Sequence, residues 1–315
     1  MAFSAQTEKY SGKMGTLTFG SGDHALTVGG QAAMPFGTFD GAIPHKPIVA
    51  MEVYDVVDPE WAAAVVDPFK DVINDPIAWA KKNVEEYGAA AICLQLAGTD
   101  PNGENKNADY AADLVKKMLG AINVPLIVWG SGNVEKDAEV LAKVCQVNEG
   151  KNLLVGPAVE ANYKKIAAAC LGYGHAVVSQ SPIDVNMAKQ MNILINNLGL
   201  PLNKVIMEPS TGALGYGVEY SYSVMERISL AALAQNDEKM QAPIINDLGK
   251  ECWKAREVKL TEVEEPAFGP DMEKRGVLWE AMTAMDMALS GSNLLIMRNP
   301  KAVKLVENCI AELLA

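Results

Sequence analysis

The chain has 315 residues, 49% hydrophobic and 21% charged, the composition of an ordinary soluble globular protein with room for one large core or two modest ones. A formal net charge of -12 argues against nucleic acid or an anionic membrane surface as partner, since either needs a basic face. Small molecules and protein partners remain.

The stretch "MAFSAQTEKYSGKMG" is polar and lacks the apolar core of a signal peptide, and no apolar run approaches the roughly 18 residues of a membrane span. The expected location is the cytoplasm. "TLTFGSGDHALTVGGQAAMPF" carries two alternating runs on either side of "GSGD", which predicts a hairpin. Residues 1–46 are expected to form an extension packed across one end of the domain that follows, residues 47–315.

From about Pro47 onward, short apolar runs alternate with helical periodicity. "PIVAMEVYDV" predicts a first strand. "DPIAWAKKNVEEYG" predicts a helix with Asp75 as N-cap, Pro76 at the first helical position, and Ile77, Ala80, Val84 and Tyr87 on one face. "AAICLQLAG" with "NADYAADLVKKMLGAI" makes a second unit, "VPLIVWGSGN" with "VEKDAEVLAKVCQV" a third, and "NLLVGPAV" with "YKKIAAACLGYG" a fourth. In the fifth, "HAVVSQSP" precedes "DVNMAKQMNILINNLG", where Met187, Met191, Leu194 and Leu198 form a stripe and Gly199 supplies the stop. "KVIMEPS" and "EYSYSVMERISLAALAQ" are the sixth. The seventh strand, "APIINDLG", is separated from its helix, "MEKRGVLWEAMTAMDMALSG", by an insertion from Lys250 to Pro270. Trp253, Phe268 and two prolines mark that insertion as an ordered contact loop. "NLLIMR" and "NPKAVKLVENCIAELLA" close the series, with Val303, Val306, Ile310 and Leu313 on the buried side.

Strands that are apolar on both faces, each followed by a helix, imply a parallel sheet covered by helices. Eight such units in about 270 residues match an α/β TIM barrel, (β/α)8, with the open doubly wound sheet as the alternative. Chemistry in a barrel sits at the C-terminal strand ends, here Gln95, Ser131, Asn133, Gln180, Ser181, Glu208, Ser210, Thr211, Asn246, Asp247 and Arg298. That set offers no catalytic residue and no metal site. His24, His45 and His175 fall in the hairpin, before strand one and at the start of strand five, away from those ends. The five cysteines, Cys93, Cys145, Cys170, Cys252 and Cys309, lie far apart without a C-x-x-C pair. "GSGN", Gly130 to Asn133, reads either as an anion grip or as a tight turn with Asn133 as N-cap. "GALGYG", Gly212 to Gly217, allows close approach of a flat ligand or of another backbone segment. Glu208 reads as a general acid or base, or as an acceptor for loop N–H groups. Arg298 can hold an anion or bridge to Glu208 or Asp247.

"VGGQAAMPF", "MEVYDV", "DPFKDVINDPIAWAKK", "NLLVGPA", "EANYKKIAAAC", "SPIDVNMAKQMNILINNLGLPL", "PSTGALGYGVEYSYSVMERI" and "GVLWEAMTAMDMALSGSNLLIMRNPKAV" together resemble the small subunit of the corrinoid iron-sulfur protein. The same family is described as the delta subunit of acetyl-CoA decarbonylase/synthase, and the resemblance covers essentially the whole chain. It implies a barrel similar to the methyltetrahydrofolate methyltransferases, working as half of a heterodimer in the reductive acetyl-CoA (Wood-Ljungdahl) pathway of anaerobes. The large subunit would carry the [4Fe-4S] cluster and the cobalamin. The barrel mouth would cover this corrinoid while a methyl group passes from methyltetrahydrofolate, through a separate methyltransferase, to acetyl-CoA synthase. On that reading Ser210, Thr211 and Tyr216 are polar contacts to the corrinoid, Gly212 and Gly215 give clearance, and Asn186 and Arg298 are further candidates. A freestanding pterin-dependent methyltransferase and a purely structural dimerisation subunit are the competing readings.

Overall fold

A computed structural model describes residues 6–315; Met1 to Ala5, the start of the polar N-terminal stretch, lie outside the described residues. The hairpin forms as expected, β1 (Thr16–Phe19) pairing antiparallel with β2 (Leu26–Gly29), and Thr18 and Thr27 join their hydroxyls across it at 2.8 Å. Its period of two turns Leu17, Phe19 and Val28 to one face, and all three are fully buried.

The alternation that follows resolves into β3 (Ile48–Tyr54), α1 (Ala63–Val66), α2 (Pro76–Glu85), β4 (Ala91–Gln95), α3 (Ala108–Leu119), β5 (Leu126–Trp129) and α4 (Val134–Val147). Next come β6 (Leu154–Ala158), α5 (Tyr163–Tyr173), β7 (Ala176–Gln180), α6 (Val185–Asn197), β8 (Val205–Glu208) and α7 (Val218–Leu233). After β9 (Ile245–Asp247), the insertion supplies α8 (Leu248–Lys254) and α9 (Arg256–Lys259), and α10 (Met272–Ser290), β10 (Leu294–Met297) and α11 (Pro300–Leu313) complete the chain. The eight strands β3 to β10 are parallel neighbours in the order β8-β7-β6-β5-β4-β3-β10-β9. A parallel bridge from Met207 to Ile244, with Met207 N–H donating to Pro243 at 2.8 Å, brings the two outer strands together. The sheet is thus a nearly closed TIM barrel rather than an open one.

Local chemistry fixes the helix starts. Asp75 accepts the N–H groups of Ile77 and Ala78 at 2.9 and 3.1 Å, with Pro76 at the first helical position where no N–H is needed. The buried stripes run close to their expected course but drift at helix ends. In α6 the buried residues are Ala188, Met191, Asn192 and Ile195, while Leu198 is exposed; in α11 Leu313 is exposed beyond Ile310. Both exceptions lie in or beyond the last turn, where the helix leaves the barrel wall.

Inward-facing Ala50, Ala91, Cys93, Ile127, Leu154, Ala176, Val178, Ile206, Ile245, Leu294 and Ile296 fill the barrel and meet Leu17, Phe19 and Val28 of the hairpin. The hairpin is tied to segments preceding the strands: Gly20 N–H donates to Asn152 O, Asn152 Nδ2 donates to Thr18 O and Gly20 O, and Gly15 N–H donates to Gln241 O. It therefore stoppers the N-terminal end of the barrel, and the opposite end carries the mouth. The insertion is ordered: the Trp253 ring packs so closely over Gly276 that an added Cβ there would lie 2.5 Å from it, and Arg275 donates to Leu260 O and Phe268 O.

Candidate functional site

The outermost inward-facing position of several strands is polar. Gln95, Glu208, Asp247 and Arg298 hold such positions, Glu52 lies one layer deeper opposite Cys93 of β4, and all five are buried. They divide into two neighbouring sites.

The first is a recess of about 280 Å³ lined by Trp129, Gln180, Glu208, Ser210, Thr211 and Asp247, among others. Glu208 is held on every side: Gln180 Nε2 donates to its Oε2 at 2.8 Å, Ser210 N–H to the same oxygen at 3.2 Å, and Thr211 Oγ1 to Oε1 at 2.8 Å. Burial pushes its carboxyl up to about 7 against those hydrogen bonds, and nearby Asp247 pushes the same way. Asp247 is likewise pushed up to about 7, by burial and then by Glu52. Gln95 Nε2 donates to its Oδ2 at 3.2 Å, and its Oδ1 has no partner. Glu208 thus serves as an acceptor for its own loop, with the Asp247 carboxylate near enough to act on it.

The second site surrounds Arg298. Its Nε binds Glu52, its Nη2 donates to the Tyr54 hydroxyl at 3.0 Å, and its guanidinium carbon stands 3.9 Å from the Trp61 ring centroid. The expected bridge to Glu208 or Asp247 is therefore corrected: Glu52, inside the first barrel strand, is the partner. Burial opposes the guanidinium's charge, but Glu52, Tyr54 and Glu280 outweigh it and hold the group charged. Glu280 of α10 accepts the N–H groups of Arg298 and Asn299 and the indole N–H of Trp253, fixing the end of β10 to the insertion.

Of the residues singled out from sequence, Ser210 and Thr211 line the recess, and Arg298 lines an adjoining pocket. Their hydroxyls are engaged internally, Ser210 Oγ donating to Ser181 O at 2.7 Å and Thr211 Oγ1 to Glu208. Gly212, Gly215 and Tyr216 stand away from the recess. The "GALGYG" loop folds on itself through a bridge between Ala213 and Tyr216 and docks on α10, where Trp279 Nε1 donates to Leu214 O. Gly215 has φ +75° and packs against Trp279, so its freedom serves a turn. Tyr216 is half exposed and donates to Glu257 of α9 at 2.7 Å. Asn186 is exposed in the first turn of α6.

The "GSGN" segment is a capped turn. Asp137 of α4 accepts from Ser131 N–H, Ser131 Oγ and Gly132 N–H, all at 2.8 Å, so those N–H groups are not open to an external anion. Asn133 caps α4 by accepting from Lys136 N–H at 3.0 Å. His175 is fixed at the far end, its Nδ1 accepting from Leu153 N–H and its Nε2 facing Cys145 O. Lys204 is also at that end, donating to Asn152. Among the described residues no group of three or more His, Cys, Asp or Glu side chains is gathered as a metal site, and no helix is long and apolar enough to cross a membrane.

Comparison with known proteins decides the family. The description "CO dehydrogenase/acetyl-CoA synthase delta subunit" matches residues 16–306. The chain belongs to that family. It is 35% identical to the acetyl-CoA decarbonylase/synthase complex subunit delta of Archaeoglobus fulgidus, over 97% of this chain and 69% of that one. It is 36% identical to the subunit of the same name from Methanothermobacter thermautotrophicus, over 96% of this chain and 77% of that one. These delta subunits are longer than the chain, which spans 66% of the two Methanosarcina acetivorans relatives. In fold the delta-family barrel is similar to dihydropteroate synthases. The Yersinia pestis enzyme with a sulfonamide drug complex superposes with a TM-score of 0.59 at 12% identity, over 86% of this chain and 95% of that one. The Xanthomonas albilineans enzyme with 4-aminobenzoic acid gives 0.58 at 11%, over 94% and 97%.

Proposed function

We propose that this chain is the barrel half of a two-chain corrinoid iron-sulfur methyl carrier, its mouth lying over a cobalamin held by the large subunit. The observation that carries the reading is the recess itself. At about 280 Å³ it is far too small to swallow a corrinoid macrocycle, yet it lies at the open end of the barrel and sets the Gln180 amide and the Ser210 and Thr211 hydroxyls beside the carboxylates of Glu208, Asp247 and Glu251. Its chemistry fits a cover: the Ser210 hydroxyl, which donates to Ser181 O, and the Thr211 hydroxyl, which donates to Glu208 and accepts from Asn246, each keep a lone pair for primary amides such as those around a corrinoid. None of the recess-lining side chains is a histidine or a cysteine, so none competes strongly as a cobalt ligand.

Bound there, the corrinoid supplies the methyl-carrying metal centre; the chain orients and shields it. Gln180, Ser210 and Thr211 are the residues that would hold its edge, and Glu208 positions the latter two. The iron-sulfur cluster belongs to the large subunit. The methyl group would come from methyltetrahydrofolate through a methyltransferase and pass to acetyl-CoA synthase, in the cytoplasm.

Purification of the chain alone and with its large partner, followed by cobalt and iron analysis and a visible spectrum, tests this. The chain alone should be colourless and the complex should hold both groups. Thr211→Val should then weaken corrinoid retention or methyl transfer by about tenfold, the equivalent of one lost hydrogen bond of about 1.4 kcal/mol. An unaffected Thr211→Val complex would favour a purely structural dimerisation subunit. The likeness to dihydropteroate synthases, together with the carboxylate floor of the recess, favours one second reading, a barrel that binds a pterin by itself. Saturable binding of methyltetrahydrofolate to the isolated chain, with methyl transfer, would replace the first reading by this one.

A further inference from the structure

Beside the recess lies a separate pocket of about 150 Å³, walled by Tyr54, Trp61 and Trp253 and ringed by Lys250, Lys254, Lys259 and Arg298. Four cations around one small pocket stand out in a chain of net charge -12. Two are already paired: Lys254 with Glu251 at 2.9 Å, and Arg298 with Glu52. Lys250 and Lys259 have no ion-pair or hydrogen-bond partner among the described residues. The carboxylate on the lining, Asp58, turns one oxygen back onto Glu60 N–H at 2.8 Å.

The floor has unused donors as well. Arg298 is only 3% exposed, yet its Nη1 nitrogen makes no hydrogen bond to the described residues. Tyr54 is 8% exposed; its hydroxyl accepts from Arg298 and leaves its own proton without an acceptor. An oxyanion in the pocket would accept from both the guanidinium N–H and the phenol O–H that the protein leaves open.

We propose that this pocket binds the phosphoryl group of a small phosphate ester. Donors reach it from four places, the end of β3, α8, α9 and the residue after β10, and such an enclosing set suits a tetrahedral group with three free oxygens better than a planar carboxylate. The pocket accommodates one phosphoryl group and a few attached atoms, and the three aromatic walls offer flat apolar surface to the ester's organic part. Lys250 lines both this pocket and the recess, so the rest of the molecule would extend toward the mouth. The assignment does not depend on the corrinoid reading.

The test is a titration of the full chain, followed by tryptophan fluorescence, since Trp61 and Trp253 report from the pocket walls. Inorganic phosphate, pyrophosphate, phenyl phosphate and citrate serve as probes at low salt. Phenyl phosphate should bind saturably and more tightly than inorganic phosphate. The double variant Lys250→Ala/Lys259→Ala should weaken it at least about tenfold, and Tyr54→Phe, which deletes only a hydroxyl, by about tenfold. Circular dichroism of both variants should match the parent. The proposal is overturned by the absence of saturable binding, by affinity unchanged in both variants, by citrate binding as tightly as pyrophosphate, or by equal affinities for phenyl phosphate and inorganic phosphate.

Discussion

At the N-terminal end of the barrel, Leu17, Phe19 and Val28 of the hairpin are buried among aliphatic side chains; at the C-terminal end the same strands deliver Glu52, Glu208, Asp247 and Arg298 to comparable depth. The first arrangement removes apolar surface from water and stabilises the fold by about 2 kcal/mol for each large side chain. The second removes charge from water, which is costly unless every group finds a partner. The comparison teaches that the mouth can keep partly unsatisfied polar groups, such as Asp247 Oδ1 and Glu52 Oε2, because the stoppered end supplies the stability. Local strain of this kind persists where surrounding structure holds it in place.

Phe19→Ala strikes the stoppered end and should have the largest effect, about 4 kcal/mol lost in denaturant unfolding, from lost burial and the cavity left behind. A loss under about 1 kcal/mol would mean that the hairpin is an ornament and that stability resides elsewhere. At the mouth, Arg298→Met should lose about 3 kcal/mol by stranding the buried Glu52, and the double variant with Glu52→Gln should recover most of it. Failure to recover would show that Arg298 matters chiefly through its stacking on Trp61 and Tyr54.

A pH series sharpens the contrast further. Glu208 and Asp247 have folded-state values raised to about 7, so the folded protein binds these protons more tightly than the unfolded chain. Their stabilising contribution is therefore complete below about pH 4 and is lost as pH rises through about 7, by about 3 kcal/mol for Glu208 and about 4 kcal/mol for Asp247. Glu208→Gln should flatten that fall in urea midpoints measured at about pH 5 and about pH 8, whereas Phe19→Ala should shift the curve without changing its shape. Equal pH slopes in parent and Glu208→Gln would remove Glu208 from the account. The smallest effect belongs to Asn133→Ala, about 1 kcal/mol from a lost cap on α4, read from the same unfolding curves.

The wall of the barrel was more legible in the sequence than the contacts at its mouth. Runs apolar on both faces announced buried parallel strands, and Asp75-Pro76 and Asn133 announced helix starts through chemistry that acts within three residues. The mouth depends on contacts far apart in the chain, which local pattern does not encode. Arg298 was visible as a strand-end cation, but Glu52 is 246 residues away within an apolar strand, and only the β3–β10 register, Leu294 opposite Ile48, sets the two side by side. Glu280 could have been noticed, since it falls on the apolar stripe of α10 with Val277, Ala281 and Ala284. For "GALGYG" the sequence left two occupants open, since glycines that admit a ligand also admit another backbone segment, and here a Cβ on Gly212 would sit 2.7 Å from Gly217 of the loop itself.

The hairpin's bonds to the segments before β6 and β9 also brace the base of the barrel crosswise. A vessel with a welded base flexes only at its lip. Amide protons in β1 and β2 should accordingly exchange on the timescale of global unfolding, while those of the 209–217 loop and the insertion exchange through small openings. Whatever docks at the lip can then be gripped and released without loosening the vessel beneath it.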